Sequence, residues 1–222
     1  MTVLHLADEG EAADLAAFLS RLLHYDRGAA VRLQAAGTAL AVFGRPPSFE
    51  VLAIRAVRLA KPYENGLDVT LDVTVSAGEL LESVDESAAT AVVPDAVTGP
   101  PWSGVLPPRG GWRPVPGLPA PDALRAMIGS GVAEFRSRTQ ELAEERRTRA
   151  ELDRIGREIW SRTVGDTRLP VRAVHAAQSL GFLRATGESA LLSSGAWLRL
   201  RTPYGSIAVR RAGLGALDVS VR

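Results

Sequence analysis

The residues best suited to bind a ligand are concentrated in a predicted β-hairpin near the end of the chain. They are Arg199, Arg201, Arg210, Arg211 and, at the turn, Tyr204. Guanidinium groups form charge-assisted hydrogen bonds with phosphates and carboxylates, often in pairs. The hairpin therefore predicts an anion-binding face.

A predicted helix precedes this hairpin and carries Arg172, Gln178 and Arg184 at or near it. A helix followed by a basic two-stranded hairpin is the outline of a winged-helix unit, in which the helix reads a DNA groove and the hairpin holds the backbone. The alternative is that these arginines form salt bridges with the acidic half of the chain or with a protein partner. The sequence leaves both interpretations open.

Charge is distributed unequally along the chain, although the formal net charge is only +1. Residues 1–120 contain 9 basic and 14 acidic residues, whereas residues 121–222 contain 17 basic and 11 acidic residues. The two halves are expected to attract each other, within one chain or between chains, unless the basic half binds a polyanion.

Signatures of catalysis and metal binding are missing from the sequence. It contains no cysteine, which excludes disulfides, thiol nucleophiles and Cys-ligated zinc. His5, His24 and His175 lie on different predicted elements, without a carboxylate or second histidine at ligand spacing. No GxSxG, GxGxxG or P-loop motif is present. We therefore predict no cofactor, no metal and no catalytic residue, and we favour a non-enzymatic protein.

The periodicity of apolar residues predicts an α+β fold built from two helix-plus-antiparallel-strand units. Residues 1–93 form the N-terminal unit, which begins with a helical stripe at 11–25. Within it, residues 49–60 are apolar almost without interruption, which predicts a strand buried on both faces. Residues 164–222 form the C-terminal helix-plus-hairpin unit.

Short matches between the two units raise the hypothesis of an internal duplication. V-R-L at 31–33 and L-A-V at 40–42 correspond to L-R-L at 198–200 and I-A-V at 207–209, and LDVTV at 71–75 corresponds to LDVSV at 217–221. The alternative is generic strand patterning, because alternating Leu/Val strands resemble one another. A duplication predicts two equivalent sheets or one sheet with pseudo-twofold symmetry.

Two further segments join the predicted units. Residues 94–120 are rich in proline and contain Trp102 and Trp112. This connector is either a belt over the core, with both tryptophans docked, or a polyproline ligand for another protein.

Residues 121–163 form a predicted long charged helix. Unbroken, it would span about 60 Å, so it either folds back as a hairpin or projects and pairs with another helix. The predicted partner contacts are Phe135 and Leu142 in this segment and Trp197 in the C-terminal hairpin.

Three stretches, GRPPSFEVLAIRAV, LPPRGGW and LRLRTPYGSIAVRR, resemble in style uncharacterised conserved proteins of high-GC Gram-positive (actinobacterial) bacteria. This resemblance implies no activity and no functional residue.

These patterns predict a protein-interaction or scaffold protein, acting with a protein partner or as a homodimer. The alternative is a DNA-binding regulator that uses the basic region 169–222. No apolar run is long enough to cross a membrane, and the N-terminus lacks the features of a signal peptide. We therefore expect a cytoplasmic protein without a membrane partner.

Overall fold

The computed structural model describes residues 2–47, 49–60, 71–184 and 187–211. The helices are α1 (Glu9–Tyr25), α2 (Ala77–Glu82), α3 (Pro121–Gln140), α4 (Arg149–Trp160) and α5 (Val171–Ser179), with short 3-10 turns at Pro101–Gly104 and Glu144–Arg146. The strands are β1 (Val3–His5), β2 (Ala30–Ala36), β3 (Ala39–Gly44), β4 (Leu52–Arg58), β5 (Asp72–Ser76), β6 (Thr90–Val92), β7 (Arg113–Val115), β8 (Ala190–Ser194), β9 (Trp197–Thr202) and β10 (Gly205–Arg210).

One antiparallel sheet joins the two halves of the chain. Its order is β5-β2-β3-β4-β10-β9-β8-β7, while β1 and β6 form a separate two-stranded ribbon. The first four strands come from the N-terminal unit, the next three from the C-terminal unit and the last, β7, from the connector, so β4 and β10 meet at a central junction. In this junction Ser206, Ile207 and Ala208 pair with Ile54, Ala53 and Leu52. The predicted α+β class with two units is confirmed.

Helices α1 and α5 cover one face of this sheet, which we call the inner face. Asp8 begins α1 by accepting a hydrogen bond from the backbone N–H of Glu11 at 2.9 Å. The apolar stripe predicted for this helix is buried, including Phe18 and Leu22. Phe18 stacks on Phe182, just after α5, with ring centroids 5.6 Å apart. Apolar residues of both halves form one continuous cluster, so the two units share a single core.

The order of elements agrees with the duplication hypothesis, but the sequence matches that suggested it do not. Each half contains a helix and then three consecutive antiparallel strands, α1-β2-β3-β4 and α5-β8-β9-β10. Counted outward from the junction, β4, β3 and β2 stand opposite β10, β9 and β8. The sequence matches align β2 with β9 and β3 with β10, and are therefore wrong by one strand. The position opposite β5 is taken by β7, and the matched stretch 217–221 lies outside the described residues.

The segment 121–163 is a hairpin of two helices rather than one long helix. Helices α3 and α4 pack side by side, and Arg138 forms a salt bridge with Glu158 at 2.8 Å. A Cβ atom on Gly131 would lie only 2.9 Å from the ring of Trp160. The glycine therefore permits the close approach of α3 to the end of α4. Of the two predicted arrangements, the hairpin is confirmed.

The 94–120 connector crosses the other face of the sheet, which we call the outer face. Trp102 packs there on apolar side chains of β3 and β4, in a second cluster distinct from the main core. The half-buried Trp112 donates its Nε1 hydrogen to the backbone carbonyl of Pro108 at 3.0 Å, and β7 pairs with β8. The belt interpretation is confirmed for Trp102, which packs on the sheet, whereas Trp112 hydrogen-bonds within the connector. The packing of Trp102 explains why residues of β4 are buried on both faces.

A buried arginine connects the two halves beside the junction. Arg55 of β4 is only 6% exposed, and its Nη1 donates to the backbone carbonyl of Tyr204 at 2.8 Å. Its Nη2 donates to carboxylate oxygens of Glu11 and Asp14, each at 3.1 Å. Asp14 also accepts a hydrogen bond from Arg184 at 3.0 Å. Carboxylates of α1 thus neutralise arginines from both halves.

We expect the substitution Arg55→Met to lower the free energy of unfolding by about 1–3 kcal/mol, because it removes the donor to the Tyr204 carbonyl and leaves Glu11 and Asp14 with one arginine partner each. Urea unfolding followed by tryptophan fluorescence measures the loss. Arg58→Met is the matched control, since Arg58 also binds Glu11 but its side chain is 71% exposed. It should lose much less stability. Equal losses in the two variants would contradict a structural role for the Arg55 network.

Candidate binding groove on the outer sheet face

The centre of the outer face is apolar where a solvated surface is expected. The outward residues of β2, β3 and β4 form three cross-strand pairs there, Ala36–Ala39, Ala41–Ala56 and Phe43–Ile54. We call these six residues the alanine floor. Antiparallel sheets with one solvated face normally place polar residues outward. Three of the alanines, at positions 36, 39 and 56, are nevertheless exposed.

The connector encloses this floor. Pro107, Pro108 and Arg109 from the connector and Arg199 from β9 line a groove of about 410 Å³ above the alanine floor. Ligand pockets in proteins commonly measure about 300–1,000 Å³. Two successive prolines make a stiff wall, because each ring fixes its backbone φ angle. The groove is therefore large enough for a ligand and rigid on one side.

Arg199 is a cation in the groove that pairs with no acid among the described residues. Its Nε is buried and has no hydrogen-bond partner among the residues that the structure describes. Burial and the nearby charge of Arg201 lower the pKa of Arg199 from its ordinary value, although a guanidinium stays protonated in proteins. Its central carbon lies 5.7 Å from the centre of the Trp112 ring. A partly buried charge without a counter-ion is costly, and such groups often mark binding sites.

The acid on the far side of the outer face is already engaged. Asp72 accepts two hydrogen bonds from Arg32, at 2.7 and 2.9 Å, and one from Gln34 at 3.1 Å. The hydrogen bond and the charge of Arg32 lower the pKa of Asp72, with smaller contributions from Gln34 and Arg109. Asp72 is therefore the counter-ion of Arg32 and not of Arg199.

The predicted anion-binding residues lie on two sides of the sheet. Arg199, Arg201 and Arg210 share the outer face with Trp197, because directly paired residues of β9 and β10 project to the same side. They form a basic border beside the groove, in which Arg201 and Arg210 are exposed.

The remaining predicted contacts belong to the helical layer. The Nη2 atom of Arg172, on α5, lies 3.6 Å from the Oε2 atom of Glu50. The central guanidinium carbon of Arg184 lies 4.1 Å from the centre of the Tyr204 ring. Gln178 is exposed on α5. Arg172 and Arg184 both pair with acids of the N-terminal half, as the salt-bridge alternative expects.

The winged-helix interpretation is wrong. The β9–β10 hairpin lies inside the sheet, with β10 paired to β4 and β9 paired to β8, so it cannot project as a wing. Helix α5 buries Val171, Val174 and Ala177 against the core and cannot enter a DNA groove through that side. Arg211 contacts the turn between β8 and β9, since its Nη2 donates to the backbone carbonyl of Gly195.

The predicted partner contacts are separated from one another. Phe135 lies in the interface between α3 and α4, where its ring is 3.7 Å from the position of a Cβ on Gly156. Leu142 lies in the turn between the two helices and is half-buried. Trp197 joins the outer cluster with Trp102, close to the groove. Their role as partner contacts stays a prediction.

Sequence reasoning missed the groove itself. The available signal was the run of small residues in β3 and β4, with Ala39, Ala41 and Ala56 at outward positions. Recognising it requires the register of the two strands, together with the position of the Pro107–Pro108 wall, and neither follows from local patterning.

A second depression of about 710 Å³ lies between the α1–β2 turn, the β3–β4 loop and the connector. Its lining carries both signs of charge, including Asp26, Arg45 and Glu50, and Glu50 lies near Arg172. We place the candidate site in the groove because its apolar floor meets Arg199. The buried Nε atoms of Arg55, Arg172 and Arg199 all lack a partner among the described residues. Arg55 and Arg172 nevertheless form salt bridges, whereas Arg199 forms none with the described residues.

Histidine 175 packs among aromatic rings. Its centroid lies 4.3 Å from that of Trp160 and 5.2 Å from that of Phe49. Burial lowers the pKa of His175. Among residues 2–47, 49–60, 71–184 and 187–211, no group of three or more His, Cys, Asp or Glu side chains is arranged to hold a metal ion.

The lowered pKa of His175 predicts a pH dependence of stability. The unfolded chain binds this proton more tightly, so the contribution of His175 is complete above its ordinary pKa near 6.5 and is lost as the pH falls toward the folded value. We expect the urea midpoint to fall between about pH 7.5 and pH 5. His175→Leu should reduce that fall. Parallel curves for the two proteins would contradict this assignment.

Two family models match the chain, and the boundary between their matches lies in the connector. A family model described as "Domain of unknown function (DUF8010)" matches residues 1–104, and one described as "Domain of unknown function (DUF8185)" matches residues 107–214. No curated protein matches the sequence. The two matched regions correspond to the two sides of the β4–β10 junction.

Two crystal structures of the DNA polymerase sliding clamp from Pseudomonas aeruginosa are similar in fold. The one determined with ligand matches 90% of this chain with a TM-score of 0.50 and 12% identity. The other matches 98% of this chain with a TM-score of 0.50 and 13% identity. This chain spans 63% and 66% of the respective clamp chains. At this identity the likeness describes the fold alone.

Across the described parts of the chain, no helix combines the length and the apolar character needed to span a membrane.

Proposed function

We propose that this chain is a non-enzymatic protein-interaction module that docks a segment of a protein partner in the outer-face groove. The observation that carries the proposal is the exposed alanine floor beneath a proline wall. Small apolar residues on a sheet face allow close approach of another chain, and exposed apolar patches commonly mark interaction sites. The fold likeness to DNA polymerase sliding clamps is compatible with such a role.

The arrangement of the groove favours an extended segment over a helix. The floor follows β3 and β4, and the Pro107–Pro108 wall stands over it. An α-helix is about 10–12 Å wide with its side chains, whereas an extended chain places alternate side chains into a narrow groove. Peptide segments that bind in this way gain affinity from a few buried side chains.

Peptide display against the whole chain tests this proposal. We expect peptides selected from a random library to bind the wild-type protein and to lose at least tenfold in affinity for Ala56→Trp, because the indole fills the groove. Ala133→Trp, at an exposed position on α3, is the matched control and should bind as the wild type does. Thermal melting of both variants checks that the fold is kept.

Insensitivity of every selected peptide to Ala56→Trp would count against the groove as the docking site. A labelled DNA duplex serves as the comparison ligand, since the exposed Arg201 and Arg210 also leave nucleic-acid binding through 169–222 as a prediction. Duplex binding that weakens with salt, without any peptide binding, would favour that alternative.

Self-association is a second candidate, favoured by the same exposed floor. Twofold dimers bury the same surface patch from both subunits, and an apolar patch is self-complementary. Light scattering of the wild type and of Ala56→Trp tests this. We expect a dimer to dissociate in the variant if the floor is its interface, whereas a monomeric wild type would contradict self-association.

A further inference from the structure

The groove combines an apolar floor with a partly buried cation, Arg199, that has no counter-ion among the described residues. The other cation that lines the groove, Arg109, is exposed. This combination specifies the chemistry of the occupant. We propose that the docked segment carries an acidic side chain that pairs with Arg199, next to an apolar side chain that lies on the alanine floor. This inference rests on the proposed docking role of the groove.

The surroundings of Arg199 contain no acid in the described part of the chain. Along β9, the next outward residues are Trp197 and Arg201, and the paired residues on the neighbouring strands are Ala208 and Leu192. Its buried Nε makes no hydrogen bond to any of them. The site is thus built around a positive charge that the described fold does not neutralise.

The other cations of the outer face differ from Arg199, because each is either paired with an acid or exposed to water. Arg32, on the far side, holds Asp72 through two hydrogen bonds. Arg201 and Arg210 are exposed, where water stabilises a guanidinium at little cost. Only Arg199 is both partly withdrawn from water and unpaired among the described residues that line the groove.

An acidic peptide suits this environment better than a nucleic-acid backbone does. A phosphate backbone binds along a row of cations, usually with aromatic side chains on which bases stack. Most of the groove lining is instead small or apolar, with six floor residues and a proline wall, and its polar members are Gln34, Arg109 and Arg199. A carboxylate can accept two parallel hydrogen bonds from one guanidinium, and the adjacent apolar side chain can bury itself on the floor.

The proposal is tested by comparing acidic peptides with neutral copies, on the wild type and on variants of two arginines. The probes are groove-binding peptides selected as above and synthetic copies in which each Glu or Asp is replaced by Gln or Asn. Fluorescence anisotropy measures their Kd for the wild type, for Arg199→Gln and for Arg201→Gln. Arg201 is the matched control, because it lies on the same strand and face but does not line the groove.

We expect the acidic peptide to bind the wild type at least tenfold more tightly than its neutral copy. The preference should disappear in Arg199→Gln and persist in Arg201→Gln, which isolates the pairwise interaction as a double-mutant cycle does. Binding of the acidic peptide to the wild type should also weaken as salt is added. Arg199→Gln should melt no earlier than the wild type, since it removes an unpaired charge from the free protein.

Three outcomes would overturn the inference. If acidic and neutral peptides bind alike and both bind more weakly to Ala56→Trp, the docking role is supported. The proposed pairing of a peptide carboxylate with Arg199 is then wrong. If no selected peptide responds to Ala56→Trp, the docking role fails and this inference fails with it. If Arg199→Gln melts well below the wild type while peptide preference is unchanged, Arg199 is structural.

Discussion

The pairing of β4 with β10 is the contact on which the rest of the structure depends. It joins the four strands of the N-terminal unit to β10, β9, β8 and the connector strand β7 in one sheet, and it places a single core beneath both units. It also creates the need for the Arg55 network, because a charged side chain on a central strand must find carboxylates near the interior. The groove depends on the same contact. Its floor comes from β2, β3 and β4, whereas Arg199 comes from β9, across the junction.

The connector supplies the second constraint. A free sheet face as apolar as this one would expose Phe43 and Ile54, and the connector covers that region with Trp102 and Leu106. It leaves the alanines beside them exposed and adds Pro107 and Pro108 as a wall. A segment without regular structure over most of its length therefore both protects the outer cluster and shapes the groove.

Local sequence patterns were enough to predict the helices and strands, but not to predict which of them lie next to one another in the fold. The stripe of α1, the buried strand β4 and the docked Trp102 all follow from residues close in sequence. The break between α3 and α4 was harder to place, because charged residues continue through 141–148 with helical spacing. The winged-helix prediction failed for a different reason. Strands β9 and β10 do form a hairpin, but β10 also pairs with β4, which comes from the N-terminal part of the chain. Arg199 was found by residue type, while its missing partner could be seen only in three dimensions.

The distance along the chain between the joined strands has a consequence for biosynthesis. Arg55 and its backbone partner at Tyr204 are 149 residues apart. While the chain is being made, β4 therefore waits with one edge unpaired until nearly all of the C-terminal half has left the ribosome. Unpaired strand edges are the sites at which nascent chains pair wrongly and aggregate, and contacts between distant residues form slowly. The period between synthesis of β4 and arrival of β10 is thus when this strand edge is open to wrong pairing.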